Sequence, residues 1–526
     1  MPSNAGDNAL SAPPLEGAAP EAAEKHTYAR ILKSSALNIA SSALNIAIGI
    51  VRTKTMALLL GPAGFGLMGV YGSIAGLAQS IAGMGINSSG VRQIAEAVGS
   101  GETERIGRTV AVLRRTSVVL GILGAALLVA FSRQVSAFTF GDEGHATAVA
   151  LLSLVVFFSL ISGAQGALIQ GMRRISDLAK MGVMGAFMGT VLSIPVVFVL
   201  REEGVAPALA CIAAMAVVAS WWYSRKVKVE APAMTASQGR HEAAALLKLG
   251  LAFMASGLMT MGAAYAVRTM VLRMVGFEAT GFYQSAWTLG GLYVGFILQA
   301  MGADFYPRLT AAAADDARCN RLVNEQAQVS LLLAGPGVLA TLTFASVVIA
   351  LFYSGKFGAA VGILRWICLG MTLRVITWPM GYVILAKGRQ NIFFFTELAW
   401  TAVNVGLSWI CIKSFGLNGA GIAFFGSYVF HGLLIYPIVR RLSGFRWSAE
   451  NGRTGLLFLS LIGAVFSCFY ALPPVFAMGV GAIAVALSGL YSIRVLVRLV
   501  SLDSIPRPVA RWLVRLGLAG QGGRAR

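Results

Sequence analysis

Several basic side chains lie inside the long apolar segments of this 526-residue chain. A charge at the centre of a membrane-spanning helix costs ~2.5–3.5 kcal/mol, so such residues usually face a polar interior or a ligand pathway. The candidates among these basic residues are Arg52 and Lys54 in the first segment, Arg268 in the seventh, and Arg365 and Arg374 in the tenth. Arg273, at the outer end of the seventh segment, is a sixth candidate for ligand binding.

Acidic residues are fewer in the same segments, and the candidates are Asp304 and Glu397. Five basic residues against two acids leave at least three positive charges without an internal partner. The pattern therefore predicts a cationic cavity that attracts an anionic ligand. Asp304 could instead pair with Arg308, and the long side chains of Arg365 and Arg273 could reach the membrane surface. Either acid could also couple transport to H⁺ or Na⁺.

The composition identifies the kind of protein that must position these charges. Hydrophobic residues make up 57% of the chain, charged residues 12%, and the mean hydropathy is +0.73. Soluble proteins carry about 25% charged residues, so a soluble globular fold is excluded. A helical span needs about 20 apolar residues, and the sequence divides into about fourteen such segments. They lie near 31–60, 63–91, 110–131, 146–170, 178–200, 204–224, 243–272, 279–306, 327–353, 359–386, 391–412, 416–438, 455–472 and 475–497.

The basic residues outside the segments predict the orientation of the chain. With the N-terminus placed in the cytoplasm, the cytoplasmic loops hold 22 Lys and Arg residues and the outer loops hold five. Cytoplasmic loops of membrane proteins are enriched in Lys and Arg. The sequence therefore predicts a multi-pass membrane protein with both termini in the cytoplasm. The same rule accounts for the net charge of +20 without a nucleic acid partner.

An internal repeat predicts how the spans are arranged. Val51-Arg52-Thr53 recurs as Val267-Arg268-Thr269, and Arg225-Lys226 after the sixth segment matches Arg440-Arg441 after the twelfth. Spacings near 216 residues imply two six-span halves in the same orientation, and transporters with such repeats place the substrate path between the halves. The equivalent residues Arg52 and Arg268 could then face one cavity. We predict an all-α polytopic membrane protein with two parallel six-helix repeats around a central cavity and two extra C-terminal helices.

The same segments and loops define the predicted domains. Residues 1–24 are rich in Ala, Pro and Gly, which is typical of a disordered tail. The C-terminal residues are basic and have the spacing of an amphipathic helix at a membrane surface. The domains are a cytoplasmic tail at 1–24, an N-terminal bundle at 25–226, a cytoplasmic loop at 227–242, a C-terminal bundle at 243–441, helices 13 and 14 at 455–499, and a basic cytoplasmic tail at 500–526.

The sequence lacks the motifs of several other functional classes. No GxxxxGK[ST] motif is present, so we expect no ATP hydrolysis by this chain. The five cysteines have no metal-binding spacing and the four histidines are scattered, so we expect neither a metal site nor a cofactor. The outer loops are too short for the catalytic residues of a membrane glycosyltransferase or ligase. We therefore predict a transporter and not an enzyme.

Several stretches carry a family resemblance. They are Gly61-Pro-Ala-Gly-Phe-Gly-Leu67, Gly276-Phe-Glu-Ala-Thr-Gly-Phe-Tyr283, Ala303-Asp-Phe-Tyr-Pro-Arg-Leu309, Arg374 with Gly381-Tyr-Val-Ile-Leu-Ala-Lys387, and Thr396-Glu397. The first is similar to the GPAGxGL-like turn after span 1 of Wzx-type O-antigen and polysaccharide flippases. The others resemble spans 7, 8, 10 and 11 of these members of the MOP exporter superfamily. The resemblance covers spans 1–12.

The resemblance implies two six-helix bundles around a V-shaped central cavity. It implies transport of a polyprenyl-pyrophosphate-linked oligosaccharide, the repeat unit of an O-antigen or exopolysaccharide, from the inner to the outer leaflet by alternating access. Lys54, Arg268 and Arg374 would bind the pyrophosphate or acidic sugars, and the repeat adds Arg52 to this set. Besides this substrate, the partners would be membrane lipids, a polysaccharide polymerase and a chain-length protein.

Two other transporter types of the same superfamily are alternatives. Lipid II flippases have fourteen spans, the number predicted here, and their extra pair forms a lipid groove. A MATE-like cation-coupled antiporter should carry acidic or aromatic residues in its cavity. The excess of basic residues inside the spans therefore favours an anionic, lipid-linked substrate over a cationic drug.

Overall fold

The computed structural model describes residues 18–229 and 234–499, and every regular element within these ranges is helical. In lipid a spanning segment must satisfy its own backbone hydrogen bonds, which favours the α-helix. The helices are α1 (Ala18–Gly83), α2 (Ile86–Ser100), α3 (Thr103–Ala130), α4 (Ser132–Phe140), α5 (Ala146–Gly171), α6 (Ile175–Leu200), α7 (Val205–Ser224), α8 (Ala236–Val275), α9 (Phe277–Ala311), α10 (Asp316–Thr343), α11 (Ala345–Phe352), α12 (Ala360–Ala386), α13 (Gln390–Phe415), α14 (Asn418–Ser443), α15 (Ala449–Ala471) and α16 (Pro474–Leu499). Short 3-10 helices cover Arg201–Gly204 and Gly355–Phe357.

The long helix α1 consists of two arms that fold back on each other at Gly61. This glycine has φ 67° and ψ −173°, a conformation that residues with a side chain rarely adopt, and Pro62 follows it. Arg52 of the first arm and Ser73 of the second arm line the same cavity. In one straight helix these two residues would be about 31 Å apart. The kink therefore turns α1 into two spans.

The apolar helices agree with the predicted spans. Within the described ranges, nine helices are long and apolar enough to cross a membrane, or twelve when each of three bent pairs counts as one span. Two of the nine, Ala43–Gly83 and Ile175–Ser224, each contain two spans in series. The first folds back at Gly61, and the second divides at the 3-10 turn because α6 packs along α7. Divided in this way, the helices correspond to the fourteen predicted segments.

Two predicted spans are less regular than the apolar pattern indicates. The second predicted segment, 63–91, is interrupted at Met84 and Gly85, which both have positive φ, and α2 is a separate helix. The ninth, 327–353, bends by 81° where α10 meets α11. Hydropathy averages over a window of residues, so it does not detect a break that keeps the chain apolar.

The backbone repeats itself with a constant spacing. Three positions of positive φ recur 215 residues later in the chain, and each pair lies at the end of a helix. The pairs are Gly61 and Gly276, Arg173 and Gly388, and Arg201 and Gly416. This spacing confirms the two parallel six-span halves, which we call the first half (α1–α7) and the second half (α8–α14).

The bundle has two distinct ends. The basic end carries the loops after α5, α7, α12 and α14, which are rich in Arg and Lys. The far end carries Gly61 and Gly276. At the far end the halves are in backbone contact, because a Cβ atom at Gly281 would overlap the carbonyl group of Pro62. A Cβ atom at Gly66 would lie 2.5 Å from the carbonyl oxygen of Phe277.

An aromatic cluster covers this backbone contact. Phe65 of the first half and Phe282 of the second half each pack edge-on against Phe357, with ring centroids 5.9 and 6.1 Å apart. Tyr353 packs on Phe65 at 5.2 Å. Edge-to-face aromatic pairs contribute ~0.5–1.5 kcal/mol beyond the area they bury. The two halves are therefore in direct contact at the far end, and we call this cluster the far-end seal.

The two extra helices, α15 and α16, pack against α10 of the second half. At the basic end, the backbone N–H of Ser448 donates to Oδ1 of Asn324 on α10 at 2.8 Å, and Nδ2 of Asn451 on α15 donates to the backbone oxygen of Asn324 at 2.7 Å. Near the other end of α15, the guanidinium of Arg365 lies 3.6 Å from the ring centroid of Phe469. These contacts attach the extra pair to the second half.

The described helices extend beyond some of the predicted domain limits. α1 begins at Ala18, within the predicted tail 1–24, and residues 1–17 lie outside the described residues. α8 begins at Ala236, within the predicted loop 227–242, behind a capping box formed by Thr235 and Gln238. The predicted basic tail, 500–526, also lies outside the described residues.

Candidate functional site

A cavity of about 530 Å³ lies between the two halves. Both arms of α1, together with α6 and α7, supply the wall from the first half, and α8, α9, α13 and α14 supply the wall from the second half. Most of the lining side chains are apolar or small, as is usual for ligand cavities. Among the described residues that line it, the charged ones are Arg52 and Arg268, and none carries a carboxylate. We call this the central cavity.

Arg268 is held in place by the second half alone. Arg268 is only 9% exposed to solvent. Its Nε donates a hydrogen bond to Oε1 of Gln284 at 2.8 Å, and its Nη1 donates one to the backbone oxygen of Ala264 at 3.0 Å. A guanidinium has five N–H donors in a fixed plane. Two of the five bind protein acceptors in this way, so the remaining donors are available to a ligand in the cavity.

Arg52 enters the cavity wall from the first half. It lies on the first arm of α1, one turn before the buried residue Met56, and is itself partly buried. No carboxylate in the described part of the chain lies within ion-pair distance of Arg52 or Arg268. The two residues therefore give the central cavity a positive charge that the surrounding described side chains leave uncompensated.

Arg374 lies in a polar cluster inside the second half and not in the lining of the central cavity. Arg374 and Glu397 are within electrostatic range of each other and of Tyr428, but they do not form an ion pair at 4.0 Å or less. The ring of Trp400 lies 5.5 Å from Tyr428 and 6.3 Å from His431. Trp400 also lines the central cavity, so the cluster borders it.

Two ring nitrogens in this cluster have no hydrogen-bond partner among the described residues. Nδ1 of His431 and Nε1 of Trp400 are buried and make no hydrogen bond among the described residues. A buried polar atom without a partner costs ~1–3 kcal/mol. We therefore regard the cluster of Arg374, Glu397, Trp400, Tyr428 and His431 as a second functional element, and we call it the polar cluster.

Lys54 and Arg273 lie outside the lining of the central cavity. Nζ of Lys54 donates to the backbone oxygen of Leu351, at the C-terminal end of α11, at 2.6 Å. Nη1 of Arg273 donates to the backbone oxygens of Phe138 at 2.7 Å and Ala137 at 3.3 Å, near the C-terminal end of α4. Each of these bonds joins one half to the other. Cations are stabilised near the C-terminal ends of helices, which explains both positions.

Arg365 and Asp304 are also placed away from the central cavity. Arg365 stacks on Phe469 of α15, so its side chain supports the packing of the extra helices. Asp304 forms an ion pair with Arg308 at 2.9 Å, and both side chains are more than half exposed. The structure thus separates the eight predicted residues, and it brings only Arg52 and Arg268 together in the cavity wall.

Some polar and aromatic residues of the cavity were not among the sequence candidates. They include Gln284, which orients Arg268, and the cavity-lining residues Trp287, Trp400, Asn404 and Ser408. Asn404 and Ser408 follow Glu397 on α13 at intervals of seven and four residues, so all three share one helix face. This spacing is a signal that the sequence contains, and a search for charged residues alone does not detect it.

Comparison with known proteins finds relatives that are named as a flippase and as a transporter. The profile of the family described as "Polysaccharide biosynthesis protein" matches residues 55–362, which is more than half of the chain. A lipid III flippase of Escherichia coli (strain K12) is 24% identical over 408 residues, 76% of this chain and 95% of the relative. A Shigella flexneri protein named as an O-antigen transporter is 23% identical over 425 residues, 78% of this chain and 98% of that protein.

Solved structures of the MOP superfamily have the same fold. The lipid II flippase MurJ, in an inward closed conformation, gives a TM-score of 0.65 at 12% identity and covers 88% of this chain and 99% of its own. A multidrug resistance MATE family transporter of the MOP superfamily, in an inward-facing conformation, gives a TM-score of 0.62 at 17% identity. The match covers 77% of this chain and 99% of the transporter. At such identities the similarity concerns the fold.

Proposed function

The chain belongs to the polysaccharide biosynthesis protein family, and we propose that it is a flippase for a polyprenyl-pyrophosphate-linked oligosaccharide, the repeat unit of an O-antigen or exopolysaccharide. The observation that supports this most directly is the presence of Arg52 and Arg268, from opposite halves, on the wall of one cavity without a lining carboxylate. The relatives described above are named as flippases and transporters, which agrees with a transport role and not with catalysis.

The chemistry of the central cavity fits a pyrophosphate. Guanidinium groups bind phosphate oxygens through short, charge-assisted hydrogen bonds that are about twice as strong as neutral ones. Arg268 is already oriented by Gln284, so less side-chain freedom is lost when a ligand binds. Arg52 belongs to the first half and Arg268 to the second, so a ligand bound by both would hold the two halves together.

We assign the basic end to the cytoplasm, in agreement with the enrichment of Lys and Arg in cytoplasmic loops. In a bacterial inner membrane the far-end seal would then face the outside, and the ligand would enter from the cytoplasmic leaflet. Moving an anion outward is favourable by ~2.3 kcal/mol per charge per 100 mV, because the cytoplasm is electrically negative. Opening of the far-end seal would release the ligand by alternating access, with no ATP.

The polar cluster is our candidate for coupling to H⁺ or Na⁺. Glu397 is its single acid, and Arg374 lies within electrostatic range of it. Protonation of Glu397 would change the charge next to Trp400, which also lines the central cavity. Asp304 is a weaker candidate because it is exposed and already paired with Arg308.

Two alternatives from the same superfamily are lipid II transport and cation-coupled drug antiport. The fold and the extra pair α15–α16 are compatible with a lipid II flippase, whose substrate also carries a pyrophosphate. The positive charge of the central cavity opposes the binding of a cationic drug. A polysaccharide polymerase and a chain-length protein remain our proposed partners, because they would receive the flipped repeat unit.

Reconstitution in liposomes tests the proposal. Purified protein would be incorporated with a polyprenyl-pyrophosphate-linked oligosaccharide, and an added glycosidase would measure how fast the saccharide reaches the other leaflet. We expect faster transfer than in protein-free liposomes. Lipid II and a cationic dye would be tested in parallel. No acceleration for the oligosaccharide, or transfer of lipid II or of the dye in its place, would overturn the proposed substrate class.

A further inference from the structure

Two further cavities lie in the first half, towards the basic end. One has a volume of about 600 Å³ and lies between α2, α5, α6 and α7, with Phe253 of α8 at its edge. The other has a volume of about 320 Å³ and lies between the second arm of α1, α2 and α8. Asn87, Ser88 and Phe253 line both, so the two form one compartment. We call it the side compartment.

The side compartment adjoins the central cavity. Ile212 lines both the larger side cavity and the central cavity. Met261 lines both the smaller side cavity and the central cavity. A ligand bound at Arg52 and Arg268 could therefore extend along these shared walls into the side compartment.

The lining of the side compartment is mainly apolar, and its polar side chains carry no charge. Among the described residues that line it there is no Asp, Glu, Lys, Arg or His. The polar side chains are Gln79, Ser80, Asn87, Ser88, Ser162 and Gln170. Amide and hydroxyl groups both donate and accept hydrogen bonds. This chemistry differs from that of the central cavity, where the polar groups include two guanidinium ions.

Glycines provide the room in this compartment. Gly163 and Gly166 of α5 and Gly182 and Gly185 of α6 all line its larger cavity. A Cβ atom at Gly163 would overlap the amide nitrogen of Asn87, so this amide lies directly on the bare backbone of α5. Oδ1 of the same Asn87 is buried and has no hydrogen-bond partner among the described residues. A ligand hydroxyl could reach this oxygen only after the Asn87 amide rotates, because the oxygen is buried in this conformation.

We propose that the side compartment is the subsite for the uncharged sugar residues of the transported lipid, while the pyrophosphate lies at Arg52 and Arg268. This inference rests on the proposed flippase function and adds to it a division of the substrate between two compartments. Sugar hydroxyls match the amides and hydroxyls of the lining because each can donate and accept. The apolar face of a sugar ring can pack on Phe253. The volume of about 600 Å³ lies within the range of ~300–1,000 Å³ typical of ligand pockets.

Equilibrium binding with two ligands tests this division. The protein in lipid nanodiscs would be titrated with polyprenyl pyrophosphate and with the same lipid carrying a neutral tetrasaccharide. A buried polar group left without its partner costs ~1–3 kcal/mol, which is roughly a 5- to 150-fold loss of affinity. We expect Asn87→Leu and Gln170→Leu to weaken the glycosylated ligand by such a factor and to leave the sugar-free lipid unchanged.

Matched variants separate this inference from the proposed function. Gln134→Leu changes an exposed glutamine outside the side compartment and should alter neither affinity. Arg268→Ala should weaken both ligands. If wild-type protein binds both ligands equally, or if Asn87→Leu and Gln170→Leu weaken both equally, the sugar subsite is wrong. If Arg268→Ala leaves both affinities intact, the proposed function itself fails. Ser162→Ala, the smallest change, replaces any leucine variant that does not fold.

Discussion

Nε of Arg268 lies 2.8 Å from Oε1 of Gln284, sixteen residues further along the chain and on the next helix. This bond orients a guanidinium that is buried in the wall between the two halves. The arrangement makes Arg268 a binding residue and Gln284 a positioning residue. We therefore expect substitutions at the two positions to reduce the affinity for the ligand by different factors.

Replacing Arg268 should abolish most pyrophosphate binding. A hydrogen bond to a charged group contributes ~1.5–3 kcal/mol, so we expect Arg268→Ala to weaken polyprenyl pyrophosphate roughly 10- to 150-fold. Arg268→Lys should recover only part of this, because an ammonium group lacks the planar fork. Gln284→Leu should reduce the affinity for polyprenyl pyrophosphate only a few-fold. Binding in nanodiscs measures all three, and Arg133→Ala, with a side chain 77% exposed, is the control. Unchanged affinity in Arg268→Ala would contradict the assignment.

Adding a methyl group to Gly281 should prevent the far end from closing. The new Cβ would overlap the carbonyl group of Pro62, a backbone group that cannot move aside. We expect Gly281→Ala to slow transfer in liposomes and to increase labelling of a cysteine at Phe65 by a membrane-impermeant maleimide, in a background without the native cysteines. Gly295→Ala lies on the same helix with open space around it and should behave as wild type. Equal labelling in both variants would refute the seal.

Removing the charge of Lys54 should weaken the far-end seal and leave the affinity for the ligand unchanged. Its Nζ binds the backbone oxygen of Leu351, so Lys54→Met loses a bond between the halves. We expect the affinity for polyprenyl pyrophosphate to stay within about twofold, while maleimide labelling at Phe65 increases. Lys413→Met, at an exposed lysine above Trp409, is the matched control. A large loss of affinity in Lys54→Met would instead restore the role that the family resemblance implies.

Glu397→Gln should remove the pH dependence of transport. The substitution keeps the shape of the side chain but fixes it in an uncharged state, so the charge beside Arg374 no longer changes with pH. We expect the transfer rate in liposomes to become independent of an imposed pH gradient. Asp304→Asn, at the exposed pair with Arg308, should keep the wild-type dependence. If the two variants exchange these behaviours, coupling passes through Asp304 and not through the polar cluster.

Replacing Arg173 with glycine should stabilise the protein. Arg173 has φ 56° at a helix end where the second half has Gly388 at φ 69°, and both helices end with the same bonds, Arg174 N to Ile169 O and Arg389 N to Ile384 O. A residue with a side chain is strained in this left-handed conformation, and glycine is not. We therefore expect Arg173→Gly to raise the free energy of unfolding by about 1 kcal/mol. Thermal unfolding in detergent measures it. Arg115→Gly, at an exposed position inside α3, should lower the free energy of unfolding by a similar amount.

The sequence was sufficient to predict the fold because the signals were long and redundant. Each span is an apolar stretch of about 20 residues, and the repeat of Val51-Arg52-Thr53 as Val267-Arg268-Thr269 fixes how the spans are grouped. The comparisons confirm the resemblance to polysaccharide flippases. The break at Met84 and Gly85 was missed because it leaves the chain apolar on both sides.

The candidate site was harder to predict from sequence. A basic residue in a span must avoid lipid, but the sequence does not say which protein group it meets. Arg52 and Lys54 are two residues apart, so they point to different sides of the same helix. One lines the central cavity and the other binds the carbonyl end of α11. Arg365 satisfies the same requirement by stacking on Phe469. Three basic residues in similar apolar segments thus have three different surroundings.

The two turns that meet at the far end occupy matching places in the two halves. Gly66 matches Gly281 and Pro62 matches Phe277, and each glycine lies against the carbonyl group of the residue in the other half: Gly66 against Phe277, and Gly281 against Pro62. A surface that binds its own copy across a twofold axis is an isologous interface, the kind that builds homodimers. A half-length precursor of this chain would therefore have possessed, before gene fusion, a self-complementary patch on which two identical subunits could assemble around a shared lumen.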